Sequence, residues 1–320
     1  MITGVKLMAK NVKGSSKWIV SLIVFAVIII ISIVPTLNLP FGIPTWDDAY
    51  ENANLNTDKN ADVQSLSVHY IDVGQGDCIF IKSNSGTMLI DAGEKGNDKK
   101  ILSYIKNQGV DTIDYLVATH PHSDHIGSMP QVIEGLNIKN VIMPKLSKIN
   151  MPTTKGYENF LNAVKTSGAN VIAAEKDAQY TMGDVSFEVL SPSQQPKDLN
   201  NMSVVIKLKY KNTDFLFMGD AEAIIEQEIL NNGYDVTADV LKLGHHGSNT
   251  SNSEVFLKAV KPSIAIISCG KDNSYGHPHS ETLNSLKTYN INYKRTDECG
   301  TIVVGSDGDK LIISTQKESS

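Results

Sequence analysis

Thr119-His120-Pro121-His122-Ser123-Asp124-His125 is the stretch from which the rest of the chain is read. It packs three imidazoles and a carboxylate between positions 120 and 125. It follows Ile113-Asp114-Tyr115-Leu116-Val117-Ala118, which reads as a buried strand. A strand that ends in a ligand-dense loop holds metal-binding side chains on a rigid edge. His120 and His122 are two residues apart, so in an extended segment they share a side. Asp124 and His125 come after the chain turns and can face a second centre. The spacing therefore suggests two metal ions rather than one. A solvated loop that happens to be histidine-rich fits poorly, because the chain has only 8 histidines and three of them sit here.

Upstream of this loop, Leu66 to Val73 alternates as a strand and Gly74-Gln75-Gly76-Asp77 is a tight turn. Strands are expected at 78–82 and 87–90, with a hairpin turn at Ser83-Asn84-Ser85-Gly86 and Asp91 at the end of the second. Residues 98–108 read as a helix stopped by Gly109. Downstream, strands are expected near 140–143, 170–174, 179–182, 185–190, 203–210 and 213–218, with a helix at 158–167. Gly219-Asp220 ends the last strand, and a helix follows over 221–231. Strand 238–243 leads to His245-His246-Gly247-Ser248, and helix 253–260 and strand 263–268 lead to Asn273-Ser274-Tyr275-Gly276-His277-Pro278-His279. A helix at 280–289 and strands near 291–295, 301–305 and 310–315 finish the chain. Strands followed by helices occur twice, an order that suits two sheets packed face to face with helices on both outer faces.

The N-terminus reads differently. Trp18 to Val34 carries no charge, is apolar on every face and ends at Pro35. As a helix it spans roughly 25 Å, at the short end for a bilayer core. Lys6, Lys10, Lys13 and Lys17 all precede it, which puts residues 1–17 in the cytoplasm and the rest outside. No small-x-small cleavage site or lipobox cysteine follows, so a retained anchor at 18–34 is preferred to a secreted form released by signal cleavage. Residues 35–64, rich in Pro, Asp and Asn, read as a flexible linker, and the folded domain is expected over 65–316.

Charge bounds the partners. Taking those four lysines from the 29 basic residues leaves 25 against 35 acidic ones, or −10 for the remainder. Such a body is a poor bulk electrostatic trap for nucleic acid, although bound divalent cations reverse the sign locally. Cys78, Cys269 and Cys299 lie in apolar, strand-like contexts without CxxC spacing and read as buried free thiols.

The chemistry gathers at strand ends. Histidines 120, 122, 125, 245, 246, 277 and 279 fall in three loops, and Asp91 and Asp220 also terminate strands. Imidazole with carboxylate and no thiolate suits Zn²⁺, or Mn²⁺ or Fe²⁺. Asp220 has two oxygens to share between metals. Asp91 is expected to hold a ligand imidazole from behind. His69, inside a strand, reads as an ordinary half-buried residue.

The HxHxDH loop, the earlier strand-end Asp, the later Gly-Asp and the later His together resemble the metallo-β-lactamase superfamily. Tyr70 to Asp77, Leu89 to Gly93, Phe217 to Asp220, Leu241 to Ser248 and Tyr275 to His279 look more narrowly like the hydrolase domain of ComEC-type competence proteins, over about residues 66–315. The resemblance implies an α/β (α+β) fold, a four-layer αββα sandwich with a one- or two-metal site, here preceded by one N-terminal transmembrane helix. No run of channel helices accompanies it, so the expectation is a free-standing version on one anchor. His120 and His122 would hold one metal, Asp124, His125 and His245 the other, and Asp220 would bridge. The choice between His245 and His246 as ligand stays open. Asp91, Asp77 and Asn201 are expected to support the ligands from behind. Many members of the superfamily bring a third His to the first metal. Between His125 and His245 this chain has none, and Asn200-Asn201-Met202-Ser203 lies where it is expected.

The implied activity is metal-dependent hydrolysis by a bridging hydroxide, with one to two divalent ions, Zn²⁺ or Mn²⁺, as cofactor. Asp124 would orient the nucleophile, and His277 or His246 would protonate the leaving group. Lys242 and Ser248 are candidates for steadying an anionic substrate. The favoured substrate is a phosphodiester outside the membrane. DNA is the first choice by resemblance, and a cell-wall phosphocholine or teichoic ester is the alternative. β-Lactam or lactone hydrolysis ranks lower. A non-catalytic, membrane-tethered binding module is the reading from a different class.

Overall fold

The computed structural model describes residues 65–148, 150–192 and 198–317. The basic tail, the anchor at 18–34 and the linker to residue 64 lie outside the described residues. Among the described residues no helix is long and apolar enough to cross a membrane.

The first half opens with strands β1 (Leu66–Tyr70), β2 (Ile79–Ser83) and β3 (Thr87–Ile90), helix α1 (Asp98–Asn107) and β4 (Thr112–Val117). Helices α2 (Ser123–Ile126) and α3 (Met129–Gly135), β5 (Asn137–Met143), α4 (Lys155–Ser167) and β6 (Asn170–Ala173) follow. The second half contains β7 (Gln179–Met182), β8 (Val185–Ser191), β9 (Val205–Tyr210), β10 (Thr213–Phe217), α5 (Ala223–Asn231), β11 (Val240–Lys242), α6 (Glu254–Val260) and β12 (Ile264–Ile267). It closes with α7 (Ser280–Thr288), β13 (Asn292–Arg295), α8 (Thr296–Cys299), β14 (Ile302–Ser306) and β15 (Leu311–Thr315).

The strands form an eight-stranded sheet ordered β15-β14-β1-β2-β3-β4-β5-β6 and a seven-stranded sheet ordered β13-β12-β11-β10-β9-β8-β7. Each sheet is antiparallel at one side and parallel at the other: β3 to β6 run parallel in the first, β10 to β13 in the second. Parallel strands need crossovers, and helices supply most of them. Those helices need apolar sheet faces to cover.

The period-two pattern divides the side chains between layers. In β3, Met88 and Ile90 face the other sheet while Leu89 faces the helices. In β10, Phe215 and Phe217 face inward and Leu216 outward. Ile101, Ile105, Val132, Phe160 and Val164 from α1, α3 and α4 cover the first sheet. Ile225, Ile229, Phe256, Leu257, Val260 and Leu286 from α5, α6 and α7 cover the second. The result is helix, sheet, sheet, helix.

Two expectations need correction or detail. His69 is fully buried, not half-buried; its ring lies between the Tyr104 hydroxyl (2.8 Å) and the Ser67 hydroxyl (2.9 Å). Burial, helped by nearby Lys82, pushes its pKa down to about 3, so it packs as a neutral ring under α1. The three cysteines are free and buried. The topology also brings the carboxyl ends of β3 and β4 opposite those of β10 and β11. In open α/β sheets such ends are where ligands bind.

Candidate metal centre

On the first sheet, Asp91 follows β3 with φ at 58°, a left-handed conformation that a non-glycine residue adopts at some cost. The strain turns its carboxylate toward the next strand. Oδ1 accepts from the Thr119 amide at 2.8 Å, and Oδ2 accepts from the Thr119 hydroxyl at 2.6 Å. Nδ1 of His125 lies 2.7 Å from Oδ2. This fixes the His125 ring and turns Nε2 toward the interior, where it is buried without a hydrogen-bond partner.

The turn at residues 74–77 presses on the same loop. The Asp77 amide donates to the Asp124 carbonyl at 3.2 Å. Gly76 sits at φ 123°, and a Cβ there would lie 2.1 Å from the Asp124 carbonyl oxygen. Only glycine fits. Gly76→Ala is expected to cost about 1–3 kcal/mol through backbone strain, with the clash added, and to push the Asp124 loop outward. Thermal unfolding with and without added metal checks this: both the Tm and the stabilisation by metal should fall, and an unchanged pair of values would refute the close-approach argument.

On the second sheet, Asp220 follows β10, and its amide donates to the Ser203 hydroxyl at 2.9 Å. Its carboxylate stands between the two loops. Oδ2 lies 3.3 Å from His125 Nε2, 3.6 Å from His120 Nε2 and 3.9 Å from His245 Nε2. Oδ1 lies 3.5 Å from His246 Nε2, which is also 3.2 Å from Asp124 Oδ2. Asp124, His125, Asp220 and His246 each offer one ligand atom, and these all lie within 4.8 Å of one another. His120 Nε2 and His122 Nδ1 are 3.1 Å apart on another side of Asp220.

The donor set fits divalent cations. Ligands about 2.0–2.2 Å from a zinc-sized ion lie roughly 3–4 Å from one another, as these do. His125 Nε2, His246 Nε2 and Asp220 Oδ1 are buried without hydrogen bonds, which costs free energy that coordination would recover. The electrostatics agree. Burial alone would lower the His246 pKa, but the Asp220, Asp124 and Asp77 carboxylates raise it to about 10. His125 is raised in the same way against its burial, by Asp220, Asp124 and Asp91. His120 is held well below the usual range, by burial and then by the charge on His125. Burial opposes ionisation of Asp220, but His125, His246 and His120 hold its pKa well below the usual range. A cation entering here displaces protons.

Several expected roles are rearranged. On the choice left open between His245 and His246, the local backbone favours His246 beside Asp124 and His125, rather than the His245 of the first assignment. His245, His246 and Gly247 adopt φ of 49°, 54° and 81° in succession. Such left-handed residues twist successive side chains apart. His246 turns inward, where its Nδ1 is 3.0 Å from the Ser268 carbonyl, and joins Asp124, His125 and Asp220. His245 stays half-buried at the mouth, on the Asp220 oxygen that also faces His120. Lys242 is not free to meet substrate. It is fully buried, with Nζ 2.9 Å from Asp77 Oδ2 and donating to the Leu243 carbonyl at 2.9 Å. Burial opposes ionisation of Asp77, but Lys242 and His246 bring its pKa down to about 2. Asp77 Oδ1 lies 3.4 Å from His246 Nδ1, so Asp77 backs that imidazole. Asn201 backs no imidazole. Its side chain donates to the Glu222 carboxylate at 3.0 Å and accepts from the Glu222 amide at 3.1 Å.

The centre opens into a cavity of about 330 Å³ lined by Gln75, His122, Ser123, Asp124, Asn200, Asp220, His245, His246, Tyr275 and His277. His277 stacks on Tyr275, with ring centroids 5.7 Å apart and planes at 19°. Burial, then the charges on His246, His245 and His279, lower its pKa to about 4, so it is uncharged at neutral pH.

Sequence reasoning named Ser203 only as part of the 200–203 stretch, and it missed Glu222 and Asn252. The Ser203 hydroxyl is 3.4 Å from His120 Nδ1 as well as accepting from Asp220. Glu222 Oε1 is 3.8 Å from His245 Nδ1. Asn252 clamps the histidine turn, accepting from the Gly244 amide at 2.9 Å and donating to the Gly244 carbonyl at 2.9 Å. The only signal was closeness to ligand motifs: Glu222 lies two residues after Asp220, and Asn252 lies in the polar run Ser248-Asn249-Thr250-Ser251-Asn252-Ser253 after the histidine pair.

A two-sheet sandwich with a histidine-aspartate cluster at its strand ends defines a class, and comparison gives it a family. The chain belongs to the metallo-beta-lactamase superfamily, whose family model matches residues 71–271. Among curated proteins it is 34% identical over 254 residues to ComE operon protein 3 of Bacillus subtilis (strain 168), covering 73% of this chain and 32% of that protein. It is 31% identical over 238 residues to competence protein ComA of Neisseria gonorrhoeae, covering 73% of this chain and 31% of that protein. The chain thus spans about a third of the length of these relatives. Among solved structures, the metallo-beta-lactamase fold protein YhfI of Bacillus subtilis superposes with a TM-score of 0.50 at 10% identity, covering 72% of this chain and 96% of that one. That likeness shows the fold alone.

Proposed function

We propose that this domain is a metal-dependent phosphodiesterase, a nuclease of the ComEC type, anchored by residues 18–34 and acting on the outer side of the membrane. One observation carries the hydrolase reading: four imidazoles from the strand-end loops of both sheets converge on Asp220, within 3.3–3.9 Å of its carboxylate oxygens. A relative named competence protein ComA is in keeping with the DNA substrate that the sequence resemblance implies. The acidic balance of the chain is the observation that keeps a cell-wall phosphodiester as the second reading.

The residues divide into two holders. Asp124, His125, Asp220 and His246 would hold one ion. His120 and His122 would hold the other, with Asp220 shared and His245 and Asn200 on the side where a third imidazole is missing. Asn200 Oδ1, buried without a hydrogen bond, suits that place. Zn²⁺ or Mn²⁺ bound there would supply Lewis-acid polarisation and water ionised near neutral pH. Asp124 orients the attacking oxygen from the Oδ2 that faces His246. His277, at the mouth and uncharged at neutral pH, can take up a proton from the attacking water and return it to the departing oxygen. Tyr275 shields that ring from solvent on one face.

The test is metal content and substrate choice together. Protein purified without chelator should carry one to two Zn²⁺ or Mn²⁺ per chain and hydrolyse bis-p-nitrophenyl phosphate and DNA, with activity lost on chelation. Turnover of phosphocholine esters with none of DNA would replace the nuclease reading by the cell-wall one. A metal-free protein without turnover would leave a binding module.

A further inference from the structure

A second cavity, of about 480 Å³, adjoins the metal centre and shares His122 and Ser123 with it. Its apolar floor includes Pro121, Ile126, Pro130, Tyr157 and Leu199. Lys95 and Lys155 also line it, and among the described residues no carboxylate does. In a chain of formal net charge −6 that is a local reversal of sign, placed beside the reacting centre. Its size falls within the range of about 300–1,000 Å³ usual for small-molecule sites.

We propose that this cavity is a nucleotide subsite: it seats the nucleoside next to the scissile phosphate, with Lys95 and Lys155 on the flanking phosphates. The proposal rests on the phosphodiesterase reading above and deepens it by assigning the cavity in which a nucleotide of the substrate lies. A choline headgroup is a cation, and its recognition calls for aromatic faces or carboxylates, where this cavity brings two ammonium groups. A polyol chain gains nothing from an apolar floor. A nucleotide chain offers both a flat apolar base and regularly spaced negative charge. Lys155 pairs with Glu158 at 3.0 Å, but the pair is exposed and weak, so its ammonium can turn to a phosphate. The first turn of α4, beginning at Lys155, adds amides that favour an anion at the same rim.

Gly156 supplies a plug. It lines the cavity in the first turn of α4, and a Cβ there meets nothing within 4 Å. Gly156→Trp therefore starts from an unobstructed Cβ and brings an indole to the cavity, and Gly156→Ala is the folding control, since alanine favours a helix by about 1 kcal/mol over glycine. The full-length chain, loaded with Mn²⁺, is assayed on pentathymidylate and on bis-p-nitrophenyl phosphate. The ratio of the two kcat/KM values should fall at least about tenfold in Gly156→Trp and stay within about twofold of wild type in Gly156→Ala. Separately, binding of a fluorescein-labelled phosphorothioate pentathymidylate is followed by anisotropy against salt. The Lys95→Gln/Lys155→Gln double variant should flatten the log–log slope by about 1.4, or about 0.7 per lost phosphate contact. An unchanged ratio in Gly156→Trp, or an unchanged slope, overturns the subsite while diester hydrolysis by wild type stands. Wild type that hydrolyses neither substrate overturns the phosphodiesterase reading and the subsite with it.

Discussion

Asp220→Ala is expected to lower kcat/KM for a phosphodiester by on the order of 10³-fold or more and to leave less than one tightly bound ion per chain. Among the described residues, Asp220 is the side chain whose two oxygens face imidazoles from both sheets: His125, His120 and His245 on Oδ2, His246 on Oδ1. Its removal leaves only Asp124 between His125 and His246, and takes the facing carboxylate from His120 and His245. It also uncouples the two loops, since Asp220 is itself held to the β9 side by the Ser203 hydroxyl. Metal analysis after dialysis is the measurement, with turnover in parallel. Full metal content in Asp220→Ala would place the ions elsewhere and end the present assignment. The fold should survive, because Asp220 lies beyond the end of β10 and belongs to none of the three apolar layers.

Asp77→Ala is expected to have the largest effect on stability, a loss of about 3–5 kcal/mol. Lys242 is fully buried, and the Asp77 carboxylate at 2.9 Å is its counter-ion. Removing one member of a buried pair strands the other charge in a medium of low dielectric. For a domain of this size that corresponds to a fall in Tm of about 10 °C. The double variant Asp77→Ala/Lys242→Met removes both charges and should regain most of the stability. It should not regain metal affinity, because His246 has then lost the carboxylate 3.4 Å from its Nδ1. Denaturant unfolding and metal titration separate the two effects. A single Asp77→Ala variant within about 1 kcal/mol of wild type would show that Lys242 finds water or another partner.

Much of the fold was open to reading in one dimension. Helix α1 at Asp98–Asn107 and α4 at Lys155–Ser167 lie close to the expected 98–108 and 158–167, because their apolar positions recur at helical spacing and Gly109 and Gly168 follow them. Strands such as β3 and β10 stood out as short apolar runs, Met88-Leu89-Ile90 and Phe215-Leu216-Phe217, between turn residues. What escaped were short helices of four to seven residues, α2, α3 and α8, which are too brief to show a period. The centre was legible in composition and less so in detail. His120, His122, His125, Asp124 and Asp220 stood out because ligand-type residues cluster at strand ends. The roles of His245 and His246 did not, because adjacent residues have the same sequence context and only their backbone dihedrals set them apart.

By itself, the sequence determined which residues can ligate a metal, which segments are strands and helices, and the family to which the chain belongs, since each is a matter of side-chain chemistry and local period. Only the tertiary structure decided which histidine of the 245–246 pair turns inward, that Lys242 is spent on Asp77, that Asn201 serves Glu222, and that a lysine-rimmed cavity adjoins the centre. Those facts depend on distances between loops far apart in the chain. Such distances are set when two sheets pack face to face, and no local pattern encodes them.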